Sequence, residues 1–253
     1  MALISSSGSC TSNLLIKTIR DLANKMPGKR KPENTDTATP ERPLPSIEAT
    51  SLAKPEQPPA KVTNDRAMPP LLLCSLGNPG PTYANTLHSA GHVLLNALIR
   101  HLDASPPARS QQYGKSIISH LPPHLLWQSP KYMNDSGRAV ARAWRDFKAT
   151  VPADEPPPRL VLLYDDMELR CGTFKVRKDT VGLSARGHNG LTSVLAMPGM
   201  TKEKITRVAI GIGPRPENRD PDTVAKFVLR QMRPQEQKAV EGCAEGVWWE
   251  LDG

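Results

Sequence analysis

The sequence predicts an α/β domain, a single twisted, mostly parallel (mixed) β-sheet flanked by α-helices, behind a disordered N-terminal extension. Three observations predict it. Short apolar runs at 71–76, 160–164 and 208–212 have the length and composition of buried strands. Stretches between and after them place apolar residues at helical spacing, the pattern of helices packed on a sheet. Residues 1–69 contain no Phe, Trp or Tyr but nine of the 26 prolines, so they cannot bury enough apolar surface to offset the entropy of ordering. That leaves residues 70–253, long enough for one domain with a sizeable core.

The elements follow in order. Residues 71–76 run into Gly77-Asn78-Pro79-Gly80, a strand closing in a tight turn. Residues 90–101 carry Val93, Leu94, Ala97 and Leu98 along one helical face. Residues 116–119 and 125–128 read as two strands around Pro122-Pro123. Ser136 is placed to cap a helix whose Val140, Ala143, Trp144 and Phe147 line one side, with Arg138, Arg142 and Arg145 along another. Val151-Pro152 ends it. A strand at 160–164, a polar turn, a strand at 173–177 and another at 208–212 come next, and two helices, 222–231 and 234–250, close the chain.

The formal charge of +8 is spread over both parts: ten Lys/Arg against seven Asp/Glu in residues 1–69, and 23 against 18 in the rest. A basic excess on a folded domain favours a polyanionic partner. Cys10, Cys74, Cys171 and Cys243 show no paired spacing, so four free thiols in a reducing compartment are expected. No run approaches the roughly 20 apolar residues of a membrane span. The first 31 residues hold six Lys/Arg against one Asp, and Leu14, Leu15, Ile16, Ile19 and Leu22 could form one apolar helical face. That suits an organellar transit peptide, or simply a variable tail.

In open α/β sheets, ligands collect outside the carboxyl ends of the strands. His88 follows the strand at 71–76, and Asp165 directly follows the strand at 160–164, which puts both at one sheet edge. His88 sits where a helix begins, and the positive end of the dipole favours an uncharged ring, the form a general base needs. A carboxylate on the other ring nitrogen would steady the cation formed as the proton moves, and Asp165 is the candidate. Asn78, Asn134 and Asn189 each occupy a Gly- or Ser-rich turn. An uncharged amide there can position water, hold a ribose hydroxyl or meet an oxyanion.

Other patterns fall short. Residues 182–187 have one residue too many for a serine-hydrolase elbow, and Gly77-Asn78-Pro79-Gly80 lacks a dinucleotide glycine pattern. His88 and His92 have zinc-pair spacing without the Glu or a third ligand. No metal and no organic cofactor are expected.

Four motifs in one order carry a resemblance: residues 74–91 with His88, Met133-Asn134-Asp135-Ser136-Gly137, Tyr164-Asp165-Asp166 and Gly187-His188-Asn189-Gly190. Together they resemble the bacterial-type peptidyl-tRNA hydrolase family over roughly residues 70–240. The resemblance implies a monomeric ester hydrolase that frees tRNA and peptide from peptidyl-tRNA, without a membrane partner. His88 would deprotonate water and Asp165 orient it. Asn78 and Asn134 would hold substrate and water, Asn189 the 3′-terminal nucleotide, with Tyr83 and Met133 lining the cleft. Lys175 and Arg177, at alternating strand positions, would clamp the 5′ phosphate, and His188 would be structural. A cytoplasmic or mitochondrial location is expected.

The chain also departs from the family pattern. Leu87 stands for Arg, Ser89 for Asn, Arg170-Cys171 for prolines, and Ala209 for an Arg that Arg186 or Arg207 could replace. The loop at 178–187 is a few residues longer than in the relatives. An RNA-binding protein on the same fold without catalysis is the alternative, and an esterase that ignores RNA is a third.

Overall fold

The computed structural model describes residues 68–181, 184–185 and 187–253; the leader up to residue 67, with the transit segment and Cys10, and Arg186 lie outside the described residues. Seven strands form one sheet in the order β2-β3-β4-β1-β5-β7-β6. They are β1 (Leu71–Ser75), β2 (Ala108–Ser110), β3 (Ser116–Leu121), β4 (His124–Gln128), β5 (Arg159–Arg170), β6 (Phe174–Thr180) and β7 (Ile205–Gly213). Among the described residues six α-helices surround it: α1 (Ala90–His101), α2 (Ser136–Lys148), α3 (Asn189–Leu195), α4 (Pro221–Leu229), α5 (Pro234–Glu241) and α6 (Ala244–Asp252). The central pairs β4/β1, β1/β5 and β5/β7 are parallel, while β2/β3, β3/β4 and β6/β7 are antiparallel. The sheet is therefore mixed, with a parallel centre.

β1 reads Leu-Leu-Leu-Cys-Ser without alternation because both of its faces are covered. Leu71 and Leu73 face α1 and the C-terminal helices, among Leu94, Leu98, Val240 and Val247. Leu72 and Cys74 face α2 and α3, among Val140, Trp144, Leu191 and Val194. Each fully buried Leu contributes about 1.5–3 kcal/mol. Two apolar layers thus clamp the centre of the sheet.

The chain leaves β1 through α1 toward β4 on one side, whereas β5 leads to β6 and β7 on the other. The topological switch point therefore falls between β1 and β5, where ligand crevices form in such sheets.

Several elements differ from expectation. The polar stretch after Tyr164 is not a turn: β5 continues to Arg170, with Asp165 opposite Ile210 and Asp166 opposite Gly211 of β7 before a bulge. Backbone pairing to a fully buried β7 outweighs the polar side chains here. Asp135, not Ser136, is the N-cap of α2; the Ser136 hydroxyl donates to the Tyr132 carbonyl at 3.2 Å. The last expected helix breaks after Glu241, where Cys243 N–H tightens onto the Val240 carbonyl at 3.2 Å. Cys74, Cys171 and Cys243 are free thiols.

Candidate active site

β1 ends against β5, with Leu76 N–H donating to Leu163 O at 2.9 Å. The following turn uses Gly80 at φ +94°, a left-handed conformation that suits glycine. Asn78 is buried, and its Oδ1 accepts the Met133 N–H at 2.8 Å. This bond ties the loop after β1 to the loop after β4, and leaves the Asn78 amide NH₂ as its remaining polar group. One residue thus joins two walls of the cleft.

His88 lies in a 3₁₀ turn just ahead of α1. Gly91 lets α1 approach this closely, because a Cβ there would meet the Leu163 and Leu76 carbonyl oxygens at 2.6 Å. The His88 Nδ1–H donates to Asp165, 2.9 Å from Oδ1 and 3.0 Å from Oδ2. The side chains are 13% and 4% exposed. With Nδ1 committed, Nε2 is the nitrogen left to accept a proton.

His188 joins the same carboxylate, its Nε2–H donating to Asp165 Oδ1 at 3.0 Å while its Nδ1 accepts the Leu191 N–H at 3.2 Å. Its tautomer is thereby fixed, with both nitrogens engaged. Tyr164 packs edge-on against this ring at 5.1 Å. Burial alone would raise the Asp165 carboxyl, but the charge and hydrogen bonds of His88 and His188 outweigh it and hold the group well below the usual carboxylate range. The acid is an anion shared by two imidazoles.

A cavity of about 370 Å³ opens over this group. Of the expected site residues it brings together His88, Asp165, Asn78, Met133, Asn134, Asn189 and Arg177. Tyr83 and Lys175 stand outside its lining: Tyr83 packs edge-on against Tyr132 at 5.9 Å, and Lys175 is exposed on β6. Arg207 does not offer a replacement surface cation, because it is buried opposite Arg177 and donates to the Ser184 carbonyl.

Leu87 is wholly buried in the core. Ser89 is also buried, and its hydroxyl donates to the Tyr83 carbonyl at 2.9 Å. Both departures beside His88 therefore fill packing positions.

Sequence reasoning missed the apolar wall formed by Met167, Val224 and Val228 with Arg219 above it, since nothing local shows that α4 borders the cleft. His88, Asp165 and His188 also place ligand-type atoms within 4.8 Å of one another, the grouping of metal-binding type found among the described residues. Both ring nitrogens facing the carboxylate give it their protons, so a cation would have to expel two of them. The zinc-like pair of His88 and His92 is not one: His92 turns inward, its Nδ1 2.8 Å from the Ser75 hydroxyl.

Fold and site together describe an α/β protein with a carboxylate-braced imidazole at its switch-point cleft, the equipment of a hydrolase that activates water directly. A family model described as peptidyl-tRNA hydrolase matches residues 72–251, and the chain belongs to that family. It is 35% identical to the peptidyl-tRNA hydrolase of Alkalilimnicola ehrlichii over 196 residues, covering 75% of this chain and 92% of that protein. The Mycobacterium tuberculosis peptidyl-tRNA hydrolase is 35% identical over 178 residues, 70% of this chain and 86% of that one. In fold the chain is similar to crystalline peptidyl-tRNA hydrolase from Acinetobacter baumannii, with TM-score 0.54 and 23% identity over 72% of this chain and 91% of that one.

Proposed function

We propose that this protein hydrolyses the ester between peptide and tRNA in peptidyl-tRNA, with His88 as general base. The carrying observation is the His88 Nδ1 bond to both oxygens of Asp165, which commits one ring nitrogen and leaves Nε2 beside the cleft. In this reading Nε2 takes a proton from water as the water oxygen bonds to the ester carbonyl carbon. The carbon–oxygen bond to the terminal ribose then breaks, and the same proton passes to the departing ribose oxygen. Asp165 steadies the transient imidazolium. Asn78 and Asn134 hold the carbonyl and water, and Asn189 anchors the terminal nucleotide. Such a base contributes about 10²–10⁴ in rate, and alignment in the cleft contributes further.

Arg177, at the cleft margin, is assigned to an RNA phosphate, with Lys175 as a more distant cation. The partner is peptidyl-tRNA and the working form a monomer, in the cytoplasm or, if the basic N-terminal segment directs it, the mitochondrion. No helix among the described residues is long and apolar enough to cross a membrane.

The test compares N-acetylated aminoacyl-tRNA, free aminoacyl-tRNA and a simple aryl ester. Cleavage of the first substrate alone is expected, with a loss of about 10²–10⁴ in His88→Ala and little change in tRNA binding. RNA binding without hydrolysis in the wild-type chain would overturn the assignment.

A further inference from the structure

The segment that carries His88 is held from an unexpected direction. Thr86 and Gln231 form an isolated antiparallel bridge. Leu87 N–H donates to Arg230 O at 3.1 Å, Met232 N–H to Asn85 O at 2.8 Å, and the Gln231 amide to Thr82 O at 3.2 Å. Residues 82–87 are thus stitched to the connection between α4 and α5.

That connection is gripped by one carboxylate. Arg230 Nη1 donates to Glu236 Oε2 at 2.8 Å and Nη2 to Oε1 at 2.7 Å. Arg233 adds its Nη2 on Oε1 at 2.7 Å and its backbone N–H on Oε2 at 2.8 Å. Glu236 is 8% exposed. The paired bonds from Arg230, opposed by burial and reinforced by Arg233, hold its carboxyl well below the usual range. Capping α5 requires only the bond from Arg233 N–H; the fork from Arg230 instead fixes the residue whose carbonyl receives the Leu87 N–H.

We propose that Glu236 is a positioning residue for His88: clamped by Arg230 and Arg233, it fixes residues 230–232 and thereby sets the His88 ring against Asp165. The proposal rests on the reading of His88 as base, and Glu236 itself touches no reacting atom. Leu87 is wholly buried in the core, an anchor separate from the Arg230 and Glu236 side chains, so loss of the clasp is expected to shift the segment and not detach it. A displacement near 1 Å can cost up to about 10²-fold in rate.

The experiment uses the full chain with Glu236→Gln and Arg230→Gln. Two readouts are taken: kcat and KM on N-acetylated aminoacyl-tRNA, and solvent exchange of the His88 Nδ1 proton by NMR, assigned by its absence in His88→Ala. Both variants are expected to exchange that proton about tenfold faster and to lose about tenfold in kcat, with KM within about twofold, at temperatures where both are folded. An unchanged His88 proton in both would overturn the proposal, whatever happens to kcat. Unfolding of both variants would overturn it too, by making the clasp a support of the whole fold. If wild-type protein fails to cleave the ester, the base assignment falls, while the proton readout still decides the positioning claim.

Discussion

At the residue scale the site depends on a division of hydrogen bonds around Asp165. Its two oxygens accept from His88, and one also accepts from His188. Asp165→Asn would place an amide NH₂ against a ring N–H, or turn the ring to the other tautomer. A loss of about 10²–10⁴ in kcat is expected, with tRNA affinity unchanged, read by single-turnover hydrolysis and filter binding. His188→Ala should cost less, because both Asp165 oxygens keep His88; a loss equal to that of Asp165→Asn would mean His188 handles the proton itself. Asp165 was legible as a candidate because it directly follows a recognisable apolar run, and His88 because the motif around it resembles the family's. The grip of His188 on the acid was not, since it needs the turn before α3 to fold back over β5.

At the element scale, α1 and β6 carry distinct expectations. Gly91→Ala would push a methyl into two strand carbonyls and move α1 off the sheet. It should destabilise the protein by about 1–3 kcal/mol in urea titration, and lower kcat because His88 precedes the helix. On β6, Arg177 borders the cleft and Lys175 does not. Arg177→Ala should reduce the slope of log Kd for tRNA against log salt by about 0.7–0.9, and Lys175→Ala by less. α1 was readable at both ends because its apolar face repeats at helical spacing throughout 90–101. α4 was not: it ends at Leu229 because Arg230 leaves the helix to pair with the His88 segment, a long-range decision.

At the scale of the whole molecule, two buried histidines are expected to weigh on acid stability. His92 has its ordinary 6.5 lowered to about 4 by burial, which outweighs the raising effect of a hydrogen bond from the ring to the Gly77 backbone. Between those values the unfolded chain binds a proton that the fold excludes, so stability falls as pH drops from 6.5 to 4, by up to about 3 kcal/mol. His124, lowered by burial against Asp252, acts with the same sign. Asp165 and Glu236 have depressed values, so their contributions are present above about pH 4 and fade only below it. Urea titrations across this range should show the slope, and His92→Gln should flatten it; an unaltered slope would assign it elsewhere. The sequence by itself determined the α/β class and the parallel centre of the sheet, because apolar periodicity is a local property, and its resemblance to the family singled out His88 and Asp165, which strand-end position put at one sheet edge. Tertiary structure alone decided the extension of β5, the sharing of Asp165, the apolar wall from α4 and the clasp behind His88, because each joins residues distant in the chain through contacts that only packing creates.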